Sequence, residues 1–391
     1  MKSPKINVIV LGVSCFDGMA SSMRVRNLFE PLVSKELITA HNLIYEKNNK
    51  IPIGKKGCIN TIKYKIIGFR FVNIFSLFGF VFGGMAFITK SKHKPAKNIL
   101  YVFDYPDIKN LFFILYAKLL GYKLIFDIVE DNKHEKGVGL AHKFRLNTSL
   151  FLAKTAKYFA HAMIGISNYL YKKLTELTKG KLPVYYIPIS VNLDYFPYKI
   201  VEPDKNNLKI FYGGSYGLKD GLDHLLNAFD AISKTDKTIK LILTGAGHKN
   251  DMDRLNEQID KVTHKDRIVF KGFLSTDEYY KTLNECDIFC MTRVNSIYAN
   301  AGFPFKLGEF LASGKAVIAT NVGDVGDFLR HDVNSLIVSP ESVPELVDAL
   351  YQIIDNPAKI KSLGVEARKT AETYFDTRRV SMKLFSIFEA V

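Results

Sequence analysis

The second half of this chain carries residue types and spacings suited to holding a phosphorylated diol. Glu309 is the lone carboxylate of "NAGFPFKLGEFLASGKAVIAT", residues 300–320, where a short helix pattern opens with Pro304 and closes with Gly314. The strand-like run Ala316–Thr320 follows at once. An ionised carboxylate only accepts hydrogen bonds, so it can take both hydroxyls of a vicinal diol such as ribose presents. A carboxylate near a helix N-terminus is also favoured by the helix dipole without any ligand. Lys306 and the backbone N–H groups that open the helix would meet a pyrophosphate. "GGSYGLKDG", residues 213–221, adds Gly213 and Gly214, which let backbone amides approach an anion closely, and Lys219, a point charge of the right sign. A tight strand-to-helix turn would need the same glycines. Asp251 and Asp253 in "DMD" have the Asp-x-Asp spacing of some metal-holding pairs, but they open a helix where N-capping accounts for both, so no metal is expected.

These residues need a scaffold that brings strand ends together. At 391 residues, 47% of them hydrophobic, the chain is too long for one ordinary core and suits two domains. Strand-like runs alternate with amphipathic stretches in both halves, the signature of βαβ units on parallel sheets. They fall at Asn7–Leu11, Asn98–Phe103, Lys123–Phe126, Ala162–Ile166 and Val184–Ile187, then at Leu208–Tyr212, Lys240–Thr244, Arg267–Phe270, Ile288–Met291 and Ala316–Ala319. The expectation is an α/β protein of two doubly wound domains, with ligands outside the carboxyl ends of the strands. Polar, proline-bearing "YFPYKIVEPDKNN" has the composition of the joint, near Tyr195–Asp204.

Charge is unevenly divided. Of a net +15, the residues through Ile200 hold 30 Lys and Arg against 12 Asp and Glu, and the remainder is slightly acidic. A basic face attracts phosphates of lipid headgroups or nucleic acid. Trp is absent and no zinc finger or aromatic-basic RNA motif occurs, so no nucleic-acid partner is expected. Cys15, Cys58, Cys286 and Cys290 form no CxxC pair and read as free thiols of a reducing compartment. The lysine-flanked run at the N-terminus, with β-branched Ile6, Val8, Ile9 and Val10, reads as a first buried strand rather than a signal peptide, and no export is expected. Ile66–Thr89 is long and apolar enough to span a bilayer and is flanked by Lys63, Lys65, Lys90, Lys92 and Lys94. Spanning would separate two strands of one sheet. A helix lying in the membrane interface is the favoured reading, with an ordinary core helix as its rival.

Taken in order, "GGSYGLKDGLDHLLNAF", "LILTGAGHKNDMDRL", "RIVFKGFLSTDEYYKTLNECDIFC" and "KLGEFLASGKAVIATNVGDVGDFL" resemble the donor-binding domain of family 4 retaining glycosyltransferases of GT-B fold. In the first half, "FDGMASSMRVRNLFEPL", "FDIVEDN", "IGISNYLYKKL" and "YIPISVNLDYF" resemble the family's remaining segments. The resemblance implies two Rossmann-like domains facing each other across a cleft: an acceptor domain, 1–196, to which a final helix at 376–391 returns, and a nucleotide-sugar domain, 197–375.

It also implies roles. Glu309 matches the second glutamate of the family's Glu-x7-Glu motif, which holds the ribose, and Lys219 matches the lysine that neutralises the diphosphate. Ala301 stands where the first glutamate would fall and Ser215 where an arginine is usual. The chain is thus similar to a branch with "GFPxKLGE", in which Lys306 supplies the missing positive charge. Gly213, Gly214, Ser215, Gly245, Phe305 and Leu307 complete the donor set. Arg293, Ser296 and Asn300 are candidates for the sugar hydroxyls. Asp17 and Gly18 are candidates for the acceptor, and Glu130 and Asp131 for catalysis beside Lys219 and Lys306.

The implied activity is retaining, metal-independent transfer from a nucleotide sugar, a UDP-sugar favoured over a GDP-sugar, with no further cofactor. The acceptor is a glycan or lipid-linked glycan for a capsule or O-antigen, at the inner face of the cytoplasmic membrane. A catalytically silent partner subunit, or an epimerase or phosphorylase on the same fold, is the alternative.

Overall fold

The computed structural model describes residues 5–16, 20–46, 52–68, 74–131, 140–197, 203–235 and 238–391. The chain divides into two units, Met1–Ser190 with Thr377–Val391, and Val191–Asp376. The division falls between Ser190 and Val191, ahead of the proline-bearing segment that composition singles out.

The first unit is built on β1 (Ile6–Leu11), β2 (Ile38–Glu46), β3 (Lys56–Ile59), β4 (Ile62–Gly68), β5 (Lys97–Phe103), β6 (Lys123–Ile128), β7 (Ala162–Gly165) and β8 (Val184–Tyr186), in the order β3-β4-β2-β1-β5-β6-β7-β8. Only the β3–β4 pair is antiparallel. β1 is buried along its whole length, as a nearly continuous apolar run, broken only by Asn7, requires within a parallel sheet covered on both faces. Helices α1 (Ala20–Ser34), α2 (Ile74–Ser91), α3 (Ile108–Leu119), α4 (Leu140–Thr155) and α5 (Asn168–Thr178) follow the strands.

α1 carries a fully buried arginine. Arg24 makes a two-pronged pair with Asp127 of β6, Nε to Oδ2 at 2.7 Å and Nη2 to Oδ1 at 2.8 Å. It also donates to the Pro188 and Ile187 carbonyls, at 2.9 and 3.1 Å. Tyr101 of β5 donates to the same carboxylate at 2.5 Å. A buried charge this costly to desolvate persists only when it is paired and hydrogen-bonded, and these four bonds, with Tyr101 on the same carboxylate, tie α1 to β5, β6 and the segment after β8.

The second unit has β9 (Lys209–Gly214), β10 (Lys240–Gly245), β11 (Ile268–Phe270), β12 (Ile288–Met291), β13 (Ala316–Thr320) and β14 (Leu336–Val338), all parallel, in the order β11-β10-β9-β12-β13-β14. Their carboxyl ends therefore share one edge. Helices α6 (Leu222–Ser233), α7 (Lys249–Ile259), α8 (Thr276–Asn284), α9 (Ile297–Ala301), α10 (Phe305–Ala312), α11 (Val325–Phe328), α12 (Val343–Ile354) and α13 (Pro357–Thr370) alternate with them. The last helix, α14 (Thr377–Ala390), packs in the first unit, where Phe388 lies 6.0 Å from Phe29 of α1 and 6.3 Å from Tyr101, centroid to centroid.

The segment Ile66–Thr89 is not one helix. Ile66, Ile67 and Gly68 end β4, with both isoleucines buried, and α2 begins only at Ile74. α2 is 18 residues long and apolar enough to cross a membrane by length and composition, yet one stripe of it packs on the fold. Phe80 meets Tyr45 and Phe113 at 5.3 Å each, and Gly84 lies so close to the Phe113 ring that a Cβ there would sit 2.2 Å from it.

Candidate functional site

At the shared edge of the second sheet, β9 and β10 end in register, Gly213 opposite Thr244 and Gly214 opposite Gly245. Side chains are excluded here by contact. A Cβ on Gly245, whose φ is +127°, would lie 1.8 Å from the Gly214 carbonyl oxygen. One on Gly214, φ +138°, would lie 2.1 Å from Lys306 Nζ. Glycine at 214 thus leaves room for the lysine as well as exposing backbone.

Three cations gather beside these ends. Lys306, in the first turn of α10, sets its ammonium over the Tyr212 ring at 4.6 Å, and Lys219 sets its own over Tyr298 at 4.3 Å. Arg293 follows β12 and brings Nε to 3.9 Å from Asp220 Oδ1. Asp220 is buried and accepts from the Ser215 hydroxyl through Oδ2. Burial alone would raise its pKa, but Lys306, Arg293, the Ser215 hydroxyl and Lys219 together outweigh burial and hold it below the ordinary value. Burial pushes Lys306 down to about 8 against the opposing pull of Asp220, with Arg293 and Lys219 adding to the drop. Lys306 is thus a desolvated cation set beside the glycine ends of β9 and β10.

Glu309, also on α10, is half-buried. Its carboxylate accepts from Tyr279 Oη at 2.9 Å and from Tyr280 Oη at 3.2 Å. Both tyrosines belong to α8, whose start is fixed by a capping box between Ser275 and Glu278. Burial raises the Glu309 pKa to about 7, against the two phenol hydrogen bonds and Lys306.

Other residues singled out by sequence are differently placed. Leu307 is buried and its N–H donates to the Pro304 carbonyl at 3.0 Å, so Phe305 and Lys306 supply the leading amides of α10. Ser296 caps α9, accepting from the Ala299 N–H at 3.1 Å. Asn300 accepts from the Gly323 N–H at 2.7 Å and donates to Asn295 at 2.9 Å, which closes a loop. Arg293 Nη1 donates to the Ala299 carbonyl at 3.3 Å. Ala301 is buried.

In the first unit, Asp131 is buried and held by Tyr169 at 2.8 Å and Lys173 at 2.5 Å, both on α5, while its neighbour Glu130 is exposed. Asp17 and Gly18 lie outside the described residues. Asp251 opens α7 and lies 3.7 Å from Arg254, and among the described residues no group of three His, Cys, Asp or Glu side chains could hold a metal ion.

Sequence reasoning missed Asp220, the acid on which the cations converge, although it stands next to Lys219 in "GLKDG". It also missed Tyr279 and Tyr280, whose adjacency in a polar helix is the signal that could have found them.

Residues 198–370 match the family model Glycosyl transferases group 1. The MMP alpha-(1->4)-mannosyltransferase of Mycolicibacterium hassiacum is 22% identical over 222 residues, 55% of this chain and 50% of that protein. The chain spans about half the length of the curated relatives it matches. Among solved structures, sucrose-phosphate synthase from Thermosynechococcus elongatus superposes with a TM-score of 0.78 at 15% identity, covering 98% of each chain. Anabaena HepE in complex with UDP gives 0.73 at 15% identity, covering 99% of this chain and 100% of that one. At such identities the likeness shows the fold. Residues 198–370 are thus similar to group 1 glycosyltransferases, and the chain has the GT-B fold of two Rossmann-like domains.

Proposed function

We propose that this protein is a retaining, metal-independent glycosyltransferase that moves a sugar from a nucleoside diphosphate sugar to a lipid-linked glycan at a membrane surface. The observation that carries the reading is the convergence of Lys306, Lys219 and Arg293 around buried Asp220, beside strand ends stripped of side chains, in a domain similar to group 1 glycosyltransferases.

In this reading the ribose lies against Glu309 and the diphosphate against the amides of Gly213, Gly214 and Phe305. The bond between the anomeric carbon and the diphosphate oxygen breaks as Lys306, Lys219 and Arg293 take up the developing charge, the main catalytic term. The acceptor oxygen bonds to the same face of that carbon, and its proton passes to a phosphate oxygen of the leaving group. No protein nucleophile is needed. HepE, solved with UDP and with UDP-glucose, supports a UDP-sugar donor.

A lipid-linked acceptor is supported by the first unit. α2 exposes Phe75 at 80% and Phe82 at 60%, while the neighbouring α3 exposes Phe112 at 59% and Leu119 at 85%. α4 adds Phe144 and Phe151, both exposed. These apolar stripes belong to the half of the chain that holds the excess lysine and arginine, and basic residues with exposed aromatics suit an anionic bilayer surface. The inner face of a cytoplasmic membrane, with a capsule or O-antigen glycan on a polyprenyl diphosphate, is the setting we infer; it rests on analogy with the family.

The protein is expected to float with vesicles containing phosphatidylglycerol and not with pure phosphatidylcholine. Phe75→Asp with Phe112→Asp should weaken flotation more than tenfold, since burying each ring contributes ~1.5–3 kcal/mol. Equal flotation of the folded double variant would remove the membrane face from this account.

A further inference from the structure

We infer that Tyr279 and Tyr280 are positioning residues for Glu309, and that Tyr195, stacked on Tyr280, couples this carboxylate to the segment by which the chain enters the second unit. The inference rests on the reading of Glu309 as the ribose acceptor and extends it to groups that would never touch the donor.

A carboxylate offers about four lone-pair positions. The two phenols occupy one on each oxygen, Tyr279 on Oε2 and Tyr280 on Oε1, and so leave one on each for the two hydroxyls of a ribose. They also fix the plane of a group that would otherwise turn about its terminal bond, and they favour its charged form where burial opposes it. Lys306 is the charged neighbour on the same helix. From the side of α13, Arg368 meets α10 at the Ala312 carbonyl, 2.7 Å away.

Tyr280 is itself clamped. The Tyr195 ring lies parallel to it, 4.3 Å between centroids at 6°, and Phe196 meets it edge-on at 5.2 Å and 87°. Tyr195 and Phe196 follow directly on the point where the chain crosses into this unit. There Val191 bridges to Asp376, the last residue before the chain leaves again, and its N–H donates to the Phe375 carbonyl at 2.8 Å. The crossing and the ribose carboxylate are therefore two ends of one chain of contacts, Tyr195 to Tyr280 to Glu309. A shift of the crossing would turn the Tyr280 ring and move its hydroxyl, and a bound ribose would resist that movement.

The test is calorimetric titration of the full chain with UDP-glucose and GDP-mannose across pH 6 to 8; their phosphates are diesters and their bases lose a proton only at higher pH, so the ligand itself does not titrate there. Tyr280→Phe keeps the stack and removes one hydrogen bond. It should weaken binding about tenfold and move the acidic limb of affinity to higher pH. Tyr195→Ala, which leaves Glu309 and both phenols intact, should shift the same limb in the same direction with a smaller loss of affinity. Wild-type affinity and pH dependence in both tyrosine variants, alongside lost binding in Glu309→Gln, would overturn the coupling and leave the ribose reading standing. Weakened binding with an unmoved limb would also overturn it, because it would mean a merely structural role. Unchanged binding in Glu309→Gln, or no binding of either nucleotide sugar by the wild type, would remove the ribose reading and this inference with it.

Discussion

Replacing Lys306 with methionine is expected to lower kcat by about 10²–10³-fold while changing the donor KM much less. The ammonium sits over the Tyr212 ring beside Gly214 and is desolvated enough that its pKa falls to about 8. A lysine in that state gains most when full negative charge develops on the departing diphosphate. Its interaction is therefore stronger in the transition state than with bound donor, and it appears in kcat. Methionine keeps the apolar stem that covers Tyr212, so the substitution isolates the charge from the packing. Single-turnover kinetics on the variant measures the effect directly, and a kcat within tenfold of wild type would deny Lys306 its electrostatic role. Gly214→Ala should reproduce the loss by a different route, since its Cβ would occupy the place of Nζ.

Glu309→Ala is expected to weaken donor binding by ~10²-fold or more, because each hydrogen bond from a ribose hydroxyl to a charged acceptor contributes ~1.5–3 kcal/mol. The effect should be seen in kcat/KM for the donor with kcat largely retained. It carries a pH signature. Burial holds the carboxyl near 7, so much of the free protein is protonated there at neutrality. A ribose binds the charged form, so binding releases a proton and kcat/KM should climb as pH rises through about 7. Above about 8 Lys306 loses its proton and the same quantity should fall, which gives a bell. The acidic limb should vanish in Glu309→Ala and the alkaline limb in Lys306→Met. The sign for stability is opposite to that for binding. The folded pKa of Glu309 lies above its ordinary value, so the unliganded protein binds the extra proton and loses stability as pH rises between the ordinary carboxylate range and about 7.

Much of the scaffold was legible because parallel strands buried on both faces are near-continuous apolar runs, and β1, β5, β6, β9, β10 and β13 are of that kind. β2, "ITAHNLIYE", was not, since its alternation with polar residues reflects partial burial. β4, "IKYKIIG", was lost because its apolar end runs into the helix pattern beyond it, which also made Ile66–Thr89 look like one segment. β14 has only three residues, too few for periodicity to register.

At the site, Gly213, Gly214, Lys219, Lys306 and Glu309 could be read from residue type and position after a strand. Asp220 could not, because an acid in a loop gives no hint that three cations will turn toward it. The phenols on Glu309 come from a different helix, and only tertiary packing brings α8 to α10. Ser296 and Asn300 are sugar-hydroxyl candidates from sequence, and in the structure the same polar groups cap α9 and close a loop. Asp127, within "FDIVEDN", proved to be the partner of a buried arginine and holds the first unit together.

The central claim is that the second unit binds a nucleotide through Glu309. Its most direct test is the thermal unfolding midpoint of the purified chain with UDP, GDP, ADP and CMP at millimolar concentration, in wild type and in Glu309→Ala. Binding to the native state alone raises the midpoint with the logarithm of ligand concentration over Kd. The account predicts a clear rise with one of these nucleotides, UDP before GDP, and its loss in the variant. No rise with any nucleotide, or an equal rise in Glu309→Ala, would contradict it.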